Sequence, residues 1–167
     1  MTIMKEQDNN TITIRLQPRP ERDAIAFLAN MVDMYQQYAY IHHWVHQTLI
    51  QNQGNEAEAI IQITGQGAYA RLQYEQGTHR IQRIPVVPVT ETLGHVRTTL
   101  VKVFVRRNTT TVPEATIVAP VDNPNVRIRT YNFPLDRATD HRVKVTIRPL
   151  ADVLAGMLDP FIDALSK

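Results

Sequence analysis

The sequence contains no cysteine and one serine, Ser166, close to its C-terminal end. Without cysteine there are no disulfide bonds, no thiolate nucleophile and no cysteine-ligated zinc. With serine confined to position 166, a Ser-His-Asp triad is nearly excluded. No apolar run approaches the roughly 20 residues that cross a bilayer, and the polar residues 1–10 resemble no signal peptide. These absences favour a soluble, cytoplasmic protein with no membrane partner.

The positive charge of the chain is concentrated in its middle. Residues 71–148 carry 13 lysines and arginines against 6 acids, whereas the flanks carry 5 basic and 10 acidic residues. Eleven of the 13 central basic residues are arginine, whose planar group suits phosphates and base edges. This segment is either a solvated basic surface or the electrostatic footprint of an RNA- or DNA-binding protein.

Hydrophobic periodicity predicts an α+β fold, in which a mixed, mainly antiparallel sheet packs with helices. Apolar residues at helical spacing indicate an amphipathic helix at about 21–39. Shorter helices are predicted at 68–74 and within 150–165, where Pro160 interrupts the pattern. Strands are predicted at 11–16, 44–51, 57–64, 79–84, 95–106, 127–131 and 143–148.

The stretch 108–125 is polar, contains three prolines and is predicted to be a connector. Residues 1–10 are expected to form a flexible N-terminus, and residues 11–107 the first part of one domain. Residues 126–167 are expected to add C-terminal strands and a helix to the same compact unit, since 167 residues suit a single core.

Two local patterns invite a chemical interpretation. Three histidines within 42–46 could bind a metal, but no acidic residue lies nearby in sequence and the pattern is weak evidence. Gly65-Gln66-Gly67 before a helix could cradle a phosphate, although helix entry and tight turning explain these glycines better. We therefore assign no metal ligands and expect no cofactor.

Asp136, Asp140 and His141 cluster before the last predicted strand and could perform acid–base chemistry. The favoured interpretation is structural: these side chains hold the loop by hydrogen bonds and pair with Arg137 or Arg142. No catalytic residue is assigned.

Two longer motifs are more specific. Residues 65–85 read GQGAYARLQYEQGTHRIQRIP, and residues 127–142 read RIRTYNFPLDRATDHR. The first resembles the codon-recognition domain of bacterial class I peptide chain release factors, and the second resembles the stretch that follows the catalytic domain in these factors. Residues 27–39 resemble the first helix of the codon-recognition domain more weakly. The resemblance covers most of residues 11–165. It is closest to the factors that read UAA and UAG, because Pro88-Val89-Thr90 matches their Pro-x-Thr tripeptide.

The resemblance implies two sets of RNA-binding residues. The set that faces the codon is Gln82, Pro88, Val89, Thr90, Arg97, Thr98 and Asp23. The set that contacts RNA phosphates is Arg80, Arg83, Arg129, Arg137 and Arg142. Such polar side chains can hydrogen-bond the exposed edges of single-stranded bases.

The chain also departs from the family pattern. No Gly-Gly-Gln occurs in it, and the connector at 108–125 stands where the domain carrying that catalytic loop belongs. We also expect the family's N-terminal helical domain to be absent. Pro20-Glu21-Arg22-Asp23 replaces a Gly-Gly-acid-acid run, and Arg97 replaces a histidine that stacks on a codon base.

We therefore expect a non-hydrolytic, release-factor-like protein rather than an enzyme, which binds the rRNA and mRNA of the ribosomal decoding centre. It would act in the cytoplasm or in an organelle with bacterial-type ribosomes. One alternative is the codon-reading half of a split factor, with a separate Gly-Gly-Gln protein as partner. The other is an RNA-binding protein that acts on transcripts away from the ribosome.

Overall fold

The computed structural model describes residues 10–52, 56–84, 95–108 and 120–167. Its main feature is one eight-stranded sheet in the order β2-β3-β1-β5-β4-β6-β7-β8. The strands are β1 (Thr11–Pro18), β2 (Val45–Asn52), β3 (Glu58–Thr64), β4 (Gly77–Arg83), β5 (Arg97–Arg107), β6 (Arg129–Asn132), β7 (Arg137–Asp140) and β8 (Val145–Ile147). The pairs are antiparallel except β4 with β6, which run parallel. The predicted α+β fold with a mainly antiparallel sheet is confirmed.

A long helix packs on one face of this sheet. Helix α1 (Arg22–Ile41) buries an apolar stripe that includes Phe27, Met31 and Tyr35. Three short helices follow: α2 (Ala68–Leu72), which runs into a 3₁₀ turn at Gln73–Glu75, then α3 (Leu150–Leu154) and α4 (Asp159–Leu165). None of the helices in the described ranges combines the length and hydrophobicity needed to cross a membrane.

The two faces of the sheet differ because side chains alternate along each strand. The inner face carries Ile12, Ile14 and Leu16 of β1, all fully buried in the same cluster as α1. The outer face carries the intervening residues, such as Thr13 and Arg15, which are partly or fully exposed. Register partners share a face, so this parity extends across the sheet and decides which functional side chains share a surface.

The sheet unites the chain on both sides of the predicted connector. β6, which follows it, pairs in parallel with β4, which precedes it, from His79 opposite Arg129 to Gln82 opposite Asn132. Pro120–Asn125 lies against the sheet, where Val121 exchanges hydrogen bonds with the hydroxyl of Thr78 at 2.7 and 3.0 Å. Residues 109–119 of the connector lie outside the described ranges.

Two details of the predicted secondary structure were wrong. The stretch between the last two predicted strands contains β7, which pairs with β6 on one side and β8 on the other. The final helical region is interrupted at residues 155–158, where Gly156 has φ +104°. Pro160 itself lies in the first turn of α4, where its missing N–H would have no helical partner.

The glycines at 65 and 67 have packing and turning roles. A Cβ on Gly65 would lie 2.0 Å from Cδ1 of Trp44, whose indole N–H donates to the carbonyl of Gln66 at 3.0 Å. Gly67 has φ +84° at the start of α2. The interpretation as helix entry and tight turning fits Gly67, whereas close packing against Trp44 accounts for Gly65.

Candidate nucleic-acid interface

Several of the predicted codon-reading residues meet at one end of the sheet, which we call the reading end. Gln82 near the end of β4 is the register partner of Thr98 near the start of β5, so their side chains share the outer face. Gln82 accepts a hydrogen bond from Nδ2 of Asn132 at 3.1 Å through its side-chain oxygen. This bond uses the oxygen of the amide and leaves its nitrogen as the donor group of Gln82.

The start of α1 lies at the same end. The hydroxyl of Thr99 donates to the carboxylate of Glu21, and the backbone N–H of Arg19 donates to Leu100 at 3.0 Å. These bonds hold the first turn of α1, with Asp23 half-buried in it, against the start of β5. Thr99 lies on the inner face, so the first turn of α1 approaches this end of the sheet from the face opposite to the exposed Thr98.

The predicted tripeptide Pro88-Val89-Thr90 lies outside the described residues. Its neighbours do show where the intervening segment starts and finishes. Arg83, the last residue of β4, is opposite Arg97, the first residue of β5, so both ends of that segment lie at the reading end. The guanidinium of Arg83 stacks 5.0 Å above the ring of Phe133.

Arg129 is not a phosphate ligand, because its side chain is fully buried. Its two terminal nitrogens donate to the carboxylate of Glu75 at 2.6 and 2.7 Å, and one also donates to Asp140 at 3.2 Å. The predicted RNA contact is wrong for this residue. A buried guanidinium must keep its carboxylate partners, and those partners come from other segments of the chain.

The same buried network fixes the protonation state of His79. Nε2 of His79 lies 2.8 Å from the backbone carbonyl of Glu75 and therefore donates to it, while Nδ1 accepts from the hydroxyl of Tyr131 at 2.9 Å. Burial and the charge of Arg129 lower the pKa of His79 to about 4. His79 is consequently neutral around pH 7.

Asp140 links this network to the surface. Arg142 donates to its two oxygens at 3.1 and 2.8 Å, and Leu150 N–H donates to Asp136 at 3.1 Å. Burial alone would raise the pKa of Asp140, but the bonds from Arg142 and the charge of Arg129 outweigh it and lower that pKa. The structural interpretation of this loop agrees with these contacts, and Arg142 rather than Arg137 is the partner of Asp140.

A second polar group occupies the outer face, away from the reading end. Thr130 of β6 lies opposite Arg80 of β4, and its hydroxyl accepts from Nε of Arg80 at 3.0 Å. His141 approaches the same hydroxyl, with Nε2 at 2.6 Å. We call Arg80, Arg127, Thr130 and His141 the outer-face cluster. Arg137 also lies on the outer face, where its register partner is Asn132.

The histidine motif at 42–46 has a structural explanation. His42 stacks on Trp44, with ring centroids 4.7 Å apart, and its Nε2 lies 3.1 Å from the carboxylate of Asp159 in α4. Arg71 donates to the same carboxylate at 2.6 Å. In the described ranges no group of three or more histidines and acids is arranged to hold a metal ion.

Comparison with known proteins decides the family. A family model, the PCRF domain, matches residues 2–103, which is more than half of the chain. This chain belongs to the PCRF domain family. Peptide chain release factor 1 of Aquifex aeolicus is 29% identical over 247 aligned positions, covering 98% of this chain and 67% of the relative. Peptide chain release factor 1 of Syntrophobacter fumaroxidans is 28% identical, covering 86% of this chain and 62% of the relative.

The fold of this PCRF-domain protein is similar to that of a solved structure, RF2 of Thermus thermophilus. The TM-score is 0.75 at 16% identity, over 94% of this chain and 67% of that chain. Together these similarities confirm the class I release factor family that the two motifs predicted. The chain spans 62–67% of the length of these relatives. The Aquifex alignment has 247 positions and this chain 167 residues, so at least 80 positions of that relative have no counterpart here.

Sequence reasoning did not single out Glu75 or Arg127, and it named His141 only for acid–base chemistry or for holding its loop. Nothing local in the sequence indicates that Glu75 lies against Arg129, which is 54 residues away along the chain.

Proposed function

We propose that this protein is a non-hydrolytic member of the release factor family that binds the ribosomal decoding centre in translation termination. The observation that carries the proposal is the reading end. Gln82 and Thr98 share the outer face in register, at the end of the sheet where the segment that contains Thr90 starts and finishes and where Thr99 holds the first turn of α1 on the other face. This arrangement presents short polar side chains together, as reading of single-stranded bases requires.

Charge distribution supports an RNA partner. The net charge of residues 71–148 is +7, and Arg80, Arg83, Arg97 and Arg137 lie on strands β4, β5 and β7 of the same sheet. Arg129 and Arg142 contribute less to this field, because their charges are compensated by Glu75 and Asp140. The ribosomal partner is inferred from this charge distribution and from the release factor relatives.

The lack of hydrolysis is inferred from the sequence. No two glycines are adjacent in the chain, so it contains no Gly-Gly-Gln loop. The unmatched positions of the Aquifex relative agree with the connector replacing a domain. Of the acids considered for acid–base chemistry, Asp140 is engaged by Arg129 and Arg142, and Asp136 accepts from the backbone N–H of Leu150.

The proposal is tested by binding to ribosomes programmed with UAA, UAG or a sense codon. We expect the parent protein to discriminate between stop and sense codons and Thr98→Ala to lose part of this discrimination. One base-reading hydrogen bond is worth about 0.5–1.5 kcal/mol, which is about 2- to 12-fold in affinity. Thr64→Ala is the matched control, since Thr64 lies at the opposite end of the sheet and bonds Thr11.

Equal binding of the parent to all three codons would contradict codon reading. Parent protein that fails to pellet with ribosomes would contradict ribosome binding altogether. A specific feature supports a second candidate, binding to transcripts away from the ribosome: Pro20 and Arg97 replace the family's residues at the reading end. Selective capture of free mRNA, with no ribosome binding, would favour that candidate.

A further inference from the structure

The outer-face cluster brings two cationic or potentially cationic side chains to one hydroxyl. Thr130 accepts from Nε of Arg80 at 3.0 Å and lies 2.6 Å from Nε2 of His141. A hydroxyl carries one hydrogen, and with Arg80 as its donor that hydrogen is available to His141. The imidazole is then neutral, and its Nδ1–H is directed away from Thr130.

Arg127 is the third member of this group. The backbone N–H of His141 donates to the carbonyl of Ile128 at 2.9 Å, which places His141 beside the residue that follows Arg127. One terminal nitrogen of Arg127 donates to the carbonyl of Asn125 at 3.1 Å. Its Nε is buried without a hydrogen-bond partner in the described part of the chain.

No carboxylate neutralises this cluster within the described ranges. The ion pairs there include neither Arg80 nor Arg127, and Asp140, the acid next to His141, is engaged by Arg129 and Arg142. Burial and the charge of Arg127 lower the pKa of Arg80. Burial and the charges of Arg127 and Arg80 also lower the pKa of His141, against the opposing charge of Asp140. Cations held together in this way form a ready site for an anion.

We propose that Arg80, Arg127 and His141 form a phosphate-binding site for an RNA backbone on the outer face of the sheet, distinct from the reading end. The inference rests on the proposed function and adds a contact to it. Two guanidinium groups can donate to the oxygens of a phosphodiester while the imidazole supplies a third donor. Arg80 precedes Gln82 by two residues, about 7 Å along the strand. One RNA strand can therefore meet both sites.

The affinity of this site for RNA is expected to depend on pH. The groups that face His141 are Arg80 from β4, Arg127 from the segment before β6, and Asp140 from β7. A phosphodiester remains anionic between pH 6 and pH 8, whereas His141 gains a donor and a charge when it is protonated. Affinity for RNA is therefore expected to rise as the pH falls, and bound RNA should raise the pKa of His141.

The first test measures ribosome binding by the full chain at graded salt concentrations. Arg127→Gln should lower the slope of log K against log salt by about 0.7–0.9, the value of one phosphate contact. Arg15→Gln is the matched control, because Arg15 lies on the same outer face but pairs with Glu58 at 2.6 Å. Equal slopes for the parent and Arg127→Gln would overturn the proposal. If no form binds ribosomes, the proposed function fails, and the next experiment still decides the site.

The second test titrates the isolated protein with single-stranded RNA of about 12 nucleotides and, separately, with inorganic phosphate, and follows His141 by NMR. We expect RNA to raise the pKa of His141 in the parent, and to bind more weakly to His141→Gln only at low pH. RNA binding that leaves His141 unmoved would overturn the proposal. So would a response to inorganic phosphate alone, since the site would then take a free anion and not an RNA backbone.

Discussion

At the scale of single residues, the buried imidazole of His79 makes folding sensitive to acid. Its two hydrogen bonds require a neutral ring that donates through Nε2 and accepts through Nδ1. Protonation would remove the acceptor that the hydroxyl of Tyr131 uses. It would also place a second positive charge next to Arg129, inside a core that already holds one.

Stability is therefore expected to fall as the pH drops from about 6.5 to about 4. The folded-state pKa of His79 is about 4 against 6.5 for the free side chain, so in this window the unfolded chain binds a proton that the folded chain excludes. The loss is about 3 kcal/mol across the window. Urea unfolding at several pH values measures it. His79→Gln should flatten this dependence, and His46→Gln, at an exposed position of β2, should preserve it. An unchanged pH dependence in His79→Gln would contradict the assignment.

Gly65 offers a second test at this scale, because Trp44 is the only tryptophan. In Gly65→Ala the new methyl group would meet the indole at 2.0 Å, so overpacking should cost about 1–3 kcal/mol and shift the emission of Trp44. Gly67→Ala should also destabilise, by about 1–2 kcal/mol, through its positive φ. It should leave the Trp44 emission unchanged, since its Cβ would meet no atom within 4 Å. Identical spectra for both variants would contradict the packing argument.

At the scale of secondary-structure elements, one ion-pair network ties the 3₁₀ turn to β6 and β7. Glu75 supplies the turn's carboxylate, Arg129 the guanidinium of β6 and Asp140 the carboxylate of β7. The side chains of all three residues are fully buried. Strand docking therefore depends on charge compensation as well as on apolar packing.

Arg129→Met should cost about 3–5 kcal/mol, because it leaves the buried carboxylate of Glu75 uncompensated. Combining it with Glu75→Gln should restore part of the loss, so that the double variant is more stable than the sum of the single effects predicts. Chemical denaturation of the parent, the two single variants and the double variant gives the four unfolding free energies of a double-mutant cycle. Additive losses would show that the two side chains act independently.

The same elements show how far the sequence could predict the fold. Helix α1 and strand β5 have long periodic patterns, and their predicted positions lie within two residues of the observed ends. β7 has the sequence Arg-Ala-Thr-Asp, with one apolar residue and no alternating pattern, and it is a strand because β6 and β8 pair with it. Its existence depends on distant partners, which local propensity does not report.

Some residues of the candidate site could likewise be predicted from the sequence, and others could not. Gln82 and Thr98 were predicted through a motif resemblance, and strand register brings them together. Arg129 was assigned to RNA through the same motif resemblance. Its burial depends on Glu75, 54 residues away. A sequence shows the charge of a side chain, but the location of its counterion is a property of the fold.

At the scale of the whole molecule, the purified protein should not release nascent peptide. Ribosomes carrying a labelled peptidyl-tRNA and a UAA codon provide the assay, with an intact class I release factor as the positive control. The expected result is background release, since the chain has no Gly-Gly-Gln. Codon-dependent release above background would contradict it. Release only after a separate Gly-Gly-Gln domain is added would identify the split-factor arrangement.

Because β4 pairs in parallel with β6, this part of the sheet cannot form until β6 has been translated. β4 is complete at Arg83, but its partner strand begins only at Arg129. At about 5–20 residues per second, translation of the intervening segment takes a few seconds. During that time one edge of β4 lacks its neighbour and the carboxylate of Glu75 lacks its guanidinium. An unpaired strand edge is a template for aggregation. The nascent chain thus passes through an interval of vulnerability that ends when β6 leaves the exit tunnel.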